Sequence, residues 1–137
     1  MQVSKHKIMR SDCPISYALD FFGDKWTFLI IRDMIFDGKR FYSDFLNSKE
    51  KIATNILSDR LKKLENNGII VSKVYEKLKT KKEYSLTEKG KKLVPVLVEM
   101  ILWSAQYDNS LAIPQGFVEK AKNAKEEVIA TITARIG

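Results

Sequence analysis

Apolar residues in this chain recur at intervals of three and four over most of its length, and alternate with polar ones in a single short stretch. Pro14 lacks the N–H that would go unbonded at a helix start, so it can open a first helix carrying Ile15, Tyr17, Ala18, Leu19 and Phe22, with Gly23 as its stop. Asp24 is a good N-cap for a second helix that is apolar almost all round (Trp26, Phe28, Leu29, Ile30, Ile31, Met34, Ile35), as befits the centre of a core. Asp37-Gly38 ends it. A short third helix runs from Phe41 to about Asn47 with Phe41, Phe45 and Leu46 on one face. After a polar turn, Ser48 to Lys51, a fourth runs from about Ala53 to Asn66 and stops at Asn67-Gly68. Ile69 to Tyr75 is rich in β-branched residues and reads as a strand; Glu76 to Lys82 is a charged loop, and Glu83 to Leu86 a return strand. Thr87 caps one long helix through Leu93, Val96, Leu97, Met100, Ile101, Ser104 and Tyr107. Beyond Pro114 a single amphipathic helix carries Phe117, Ala121, Ala124, Val128, Ile132 and Ile136. The expected fold is mainly α with a small β-hairpin (α+β). Its expected divisions are a mobile polar arm at 1–12, a main unit at 13–110 and a C-terminal amphipathic helix at 111–137.

At 137 residues, 45% of them hydrophobic and 30% charged, the chain can bury one core without staples. One cysteine rules out an intrachain disulfide framework and fits a reducing, cytoplasmic setting. No apolar run approaches the roughly 20 residues of a membrane span. Charge sharpens the picture, because the net +7 is not spread evenly. Lys39 to Lys92 holds 15 Lys/Arg against 7 Asp/Glu, and the remainder is close to neutral. That block is the short helix, turn, second helix and hairpin. A compact basic surface on those elements suits the phosphates of duplex DNA.

On a helical wheel the fourth helix separates into an apolar side (Ile56, Leu57, Leu61, Leu64) and a polar one: Asn55, Ser58, Asp59 and Lys62, with Thr54 at the margin. Short polar side chains suit base edges in a major groove. Asn55 can pair with an adenine edge, and Asp59 can accept from a cytosine amine while repelling phosphate. Any solvent-facing helix shows such residues, so its setting carries the reading. Lys77, Lys79, Lys81 and Lys82 crowd the hairpin loop, and like charges so close favour a polyanion beside them. Lys51, and Arg40 at the opening of the short helix, are further candidates for phosphate, although a salt bridge to a nearby acid reads equally well for Arg40. Arg60 faces the core side and reads as structural, as does Trp26.

Several motifs now align. Cys13-Pro14-Ile15, Gly23-Asp24-Lys25-Trp26-Thr27, Arg40-Phe41, Ile52, Leu57-(x2)-Arg60-Leu61-(x2)-Leu64-Glu65-(x2)-Gly68 and Glu83-Tyr84-Ser85-Leu86-Thr87-Glu88-Lys89-Gly90 together resemble the HxlR-type winged helix-turn-helix regulators, from about Cys13 to Trp103. The resemblance implies a dimeric transcription factor on a palindromic operator, usually a repressor. It also implies, for some members, sensing of oxidants or electrophiles through a cysteine at the place of Cys13. This chain departs from the pattern where Leu78-Lys79-Thr80-Lys81-Lys82 replaces a proline-rich approach to the return strand, and where Ala53 stands in place of a Ser or Thr N-cap.

Cys13 falls at the N-cap of the first helix, where the macrodipole favours negative charge, with Asp12 working against it and Arg10 and Lys7 for it. The bland alternative, a small side chain without chemistry, stays open. A dimer is expected because one short helix in one groove gives little affinity; two-fold partners read half-sites roughly 34–36 Å apart. The helix after Thr87, the last helix and the first helix are candidate faces for it, with packing of the last helix back on its own domain the alternative. With His6 as the one histidine, no His-based triad or His/Cys zinc site can form within a chain, and no glycine-rich phosphate loop is present. The expectation is a non-enzyme with no metal and no cofactor, whose partners are double-stranded DNA and a second copy of itself, any small-molecule effector being unidentified. A winged module that meets an acidic protein is the alternative. A single-strand binder would need more exposed aromatics than Tyr42 and Tyr75.

Overall fold

The computed structural model describes residues 11–136; the expected arm at 1–12 therefore falls almost wholly outside the described residues. In chain order the elements are α1 (Pro14–Phe22), α2 (Lys25–Phe36), α3 (Tyr42–Leu46), α4 (Thr54–Asn66), β1 (Ile70–Val74), β2 (Lys82–Leu86), α5 (Glu88–Lys91), α6 (Val94–Tyr107), α7 (Phe117–Asn123) and α8 (Lys125–Ile136). The architecture is mainly helical with one antiparallel hairpin, as the hydrophobic pattern predicts.

Asp24 caps α2 as expected: its Oδ2 accepts from the Thr27 amide at 3.2 Å and its Oδ1 from the Thr27 hydroxyl at 2.6 Å. Ile30, Ile31, Met34 and Ile35 put α2 in a core shared with Phe45, Leu57, Leu61, Leu64, Ile70, Leu86, Val94, Val98 and Leu102. Gly68 stands at φ +73° just past α4, where the Ile69 amide donates back to the Leu64 carbonyl at 2.9 Å, and this left-handed residue turns helix into strand. The hairpin register pairs Ile70 with Leu86, Ser72 with Tyr84 and Val74 with Lys82. Among the described residues no helix is long and apolar enough to cross a membrane.

Two expected helices are each divided. The one after Thr87 is α5 followed by α6, because Pro95 brings no N–H to the ladder and its ring would meet the carbonyl four residues back. A single tight turn, Leu93 amide to Gly90 carbonyl at 3.0 Å, joins them. The C-terminal segment is likewise α7 and α8, broken at Ala124 (φ −142°, ψ 55°). Lys120 and Lys122 close α7 while Glu126 and Glu127 open α8, which is the charge order two separate helix dipoles favour. The break lets α7 lie on α6 while α8 reaches both α2 and α6. Ala121, Val128 and Ile132 thus join the common core, and Lys125 pairs with Glu99 of α6.

Candidate nucleic-acid interface

The turn between α3 and α4 is set by charge buried beneath it. Asp33, 2% exposed, accepts from the Arg32 guanidinium (2.7 Å) and faces the Lys39 ammonium (3.3 Å). Arg32 reaches on to Glu50 in the turn with a two-pronged pair at 2.7 and 2.9 Å. The Arg32 hydrogen bonds overcome partial burial and hold the Glu50 carboxyl down to about 2. Lys51 beside it adopts φ +57°, which points the chain into α4.

Thr54, Asn55, Ser58, Asp59 and Lys62 are all exposed on one side of α4, as the wheel predicts, while Leu57, Leu61 and Leu64 are buried on the other. The α4 start has no side-chain cap at Ala53, so its first-turn amides are open to solvent or to an anion. Tyr42 of α3 locks the two helices together: its hydroxyl donates to the Thr54 carbonyl at 3.1 Å and lies 3.2 Å from the Ser58 hydroxyl. Asp59 has one of its two oxygens already engaged. Its Oδ2 takes the Arg60 Nη1 at 2.5 Å and faces Lys63 Nζ at 3.6 Å. Arg60 in turn gives its Nε to Asp24 at 2.8 Å, which fits its reading as structural.

The hairpin is fastened to α3 rather than left hanging. A bridge joins Phe41 to Glu83, the Tyr84 amide donates to the Arg40 carbonyl at 2.7 Å, and Arg40 pairs with Glu83 at 2.6 Å. The salt-bridge reading of Arg40 is therefore the one observed in the free chain. The Phe41 and Tyr75 rings meet edge to face at 5.0 Å, and Lys81 Nζ sits 4.1 Å from the Phe41 ring centre. That places Lys81 on an aromatic shelf, whereas the side chains of Lys77, Lys79 and Lys82 have no ion-pair or ring partner among the described residues. Tyr42 and Tyr75, the two candidate stacking aromatics, are both engaged inside the fold. A shallow cleft of about 230 Å³ runs between α4 and the hairpin, edged by Tyr42, Ser58, Lys62, Lys82 and Tyr84.

A short helix, a turn, a helix with an exposed polar face and a lysine-tipped hairpin thus lie in one continuous surface. Residues 21–111 match the HxlR-like helix-turn-helix family. The chain belongs to that family. It is a winged helix-turn-helix DNA-binding transcription regulator, and its relatives are regulators rather than enzymes. It is 34% identical over 116 residues to the uncharacterized HTH-type transcriptional regulator YdeP of Bacillus subtilis, covering 85% of this chain and 87% of that one. The structure of the redox regulator HypR in its oxidized form superposes with a TM-score of 0.61 at 34% identity, covering 70% of this chain and 98% of that one. Quinone-bound YodB from B. subtilis gives 0.57 at 35% identity, covering 69% and 99%.

The charge signal alone did not separate lysines that face solvent from Lys81, which needs the Phe41–Tyr75 contact to be recognised. Sequence reading also gave Gly90 no role. A Cβ there would come within 2.3 Å of the Ile69 carbonyl oxygen, so glycine is what lets α5 press on the start of the hairpin. Its signal was Thr87, whose hydroxyl accepts from the Gly90 amide at 3.1 Å.

Proposed function

We propose that this regulator is a homodimer that binds a palindromic operator sequence-specifically and represses transcription. The observation that carries this reading is the exposed row Thr54, Asn55, Ser58, Asp59 and Lys62, flanked by the exposed Lys77, Lys79 and Lys82 of the wing and by Lys51. Groove-reading and phosphate-gripping groups share one face, which a module for acidic proteins does not need. The helix supplies base contacts and the lysines supply position. The second copy is proposed to cover the apolar stripe Val96, Met100, Trp103 and Tyr107 of α6, whose last two members are 67% and 73% exposed, together with Ile15 and Leu19 of α1.

Cys13 is exposed at the start of α1, beside the apolar residues assigned to that interface. With HypR and YodB as similar proteins, it is proposed to answer to oxidants or electrophiles by alkylation, by a mixed disulfide or by pairing across the dimer. Selection of bound duplexes from a random pool tests the first claim; a palindromic consensus is expected, and sequence-blind binding would overturn it. Cys13→Ser is expected to abolish release of the selected duplex by diamide or a quinone, and an undiminished response would end the sensor proposal.

A further inference from the structure

The outer face of α4 contains a carboxylate that should hinder approach to a polyanion, and the structure shows what restrains it. Asp59 Oδ2 accepts from Arg60 Nη1 at 2.5 Å, while the same guanidinium gives its Nε to Asp24 Oδ2 at 2.8 Å. Asp24 is itself fixed by Thr27, a residue only 3% exposed, through both its hydroxyl and its amide. Burial opposes the charge on Asp24, but the Thr27 and Arg60 bonds outweigh it and hold that carboxyl below its ordinary value, so the anchor stays ionised at neutral pH. One rigid fork therefore spans from the N-cap of α2 to the exposed face of α4. An isolated aspartate at such a position turns freely about two torsions; this one is held with one oxygen engaged and the other without a hydrogen-bond partner among the described residues.

We propose that Arg60 is a specificity-determining positioning residue: anchored on Asp24, it fixes the Asp59 carboxylate in one orientation and offsets its charge, so that the free oxygen can accept from a base amine in the groove. The inference rests on the proposed sequence-specific reading and names a residue that touches no base itself. Lysine is no substitute, because a single ammonium lacks the planar fork that serves two carboxylates in fixed directions. Lys63, 3.6 Å from Asp59 and 67% exposed along its side chain, is too loosely held to replace it.

The test compares base preferences, which a simple loss of charge or stability would not move at one position. Duplex selection is run on the wild-type chain and on the Arg60→Gln, Asp59→Asn and Arg60→Gln/Asp59→Asn variants, with Lys79→Gln as a charge-matched control on the wing. Arg60→Gln is expected to blur preference about tenfold at the operator position that Asp59→Asn alters. The double variant is expected to match Asp59→Asn alone at that position, since the two side chains act as one unit. Lys79→Gln should leave that position unchanged while weakening binding overall. If Arg60→Gln proves unfolded by circular dichroism, Asp24→Asn takes its place, because asparagine keeps the cap on Thr27 and removes only the anchoring charge. The proposal is overturned if the Arg60 or Asp24 variant binds with the wild-type preference profile, or if the Arg60 and Asp59 effects simply add. A wild-type chain without any base preference would instead sink the functional reading beneath it.

Discussion

Lys79 and Lys81 lie two residues apart on the wing, yet their substitution should read out in different quantities. Lys81 Nζ stands 4.1 Å from the Phe41 ring centre and 6.0 Å from that of Tyr75, and those rings are in edge contact. A cation over an aromatic face at a partly exposed site is worth about 0.5–1 kcal/mol. Lys81→Gln should therefore lower the melting temperature by roughly 2–4 °C in a chain of this size. It should leave the salt dependence of DNA binding almost unchanged. Lys79 has no such shelf, and Lys79→Gln should alter stability by less than about 0.5 kcal/mol. Each phosphate contact adds about 0.9 to the slope of log affinity against log salt, so one lost contact narrows the fall between 50 and 200 mM salt by about 3.5-fold. Two wings on one operator would double that exponent. Fluorescence anisotropy with a labelled duplex at four salt concentrations, alongside thermal melts, measures both quantities. Equal flattening of the slope by both variants, with no loss of stability in Lys81→Gln, would refute the assignment of Lys81 to the aromatic shelf.

Other outcomes follow from the same geometry. Asn55→Ala should relax operator preference by about 1–3 kcal/mol at one position while non-specific affinity holds, as read by competition with random duplex. Ala53→Ser supplies the absent side-chain cap of α4 and should raise stability by about 0.5–1 kcal/mol in a thermal melt. Because the Glu50 carboxyl is held at about 2 against an ordinary 4.5, its pairing with Arg32 stabilises the fold above about pH 4.5 and that contribution is lost as pH falls towards 2. Glu50→Gln should flatten the melting-temperature profile across that window. If the proposed dimer uses α6, Trp103→Glu with Met100→Glu should shift the species seen by analytical ultracentrifugation from dimer to monomer without unfolding it, since both side chains are exposed in the single subunit.

Periodicity made α4 and the hairpin legible because each has one solvent and one core side, and α2 because it is apolar almost all round, with turn residues at their ends. Gly68 and Asp24 are punctuation that local chemistry enforces. The divided helices were harder to read. Apolar spacing continues across Lys92-Leu93 and across Ala124, so a wheel cannot register the break, although Pro95 was a usable signal for the first. Along α4 the exposed row was readable because it depends on angle alone. The state of Asp59 was not, since its partner Arg60 is bonded to a residue 36 positions earlier. Arg40 and Lys81 show the same limit: the acid that engages Arg40 comes from β2, and the nearest ring to Lys81 comes from Phe41 at the start of α3, which only tertiary structure brings near.

That limit bears on how much of the net charge can act on DNA. In the basic block Arg40 is spent on Glu83, Arg60 on Asp24 and Asp59, Lys39 on Asp33, Lys91 on Glu88 and Lys89 on the Asn67 carbonyl, while Lys81 rests on Phe41. Most of these tie one element to another: wing to α3, α4 to α2, α5 to the end of α4. They are the frame that holds α4 and the wing against the rest of the fold. Lys49, Lys51, Lys62, Lys77, Lys79 and Lys82 have no such side-chain partner among the described residues and are the ones we propose to meet phosphate. A block that looks uniformly cationic in sequence is thus divided between groups engaged within the fold and groups left to the proposed grip on phosphate. The salt dependence of binding should report only the second set, which makes it a smaller and more informative number than the formal charge.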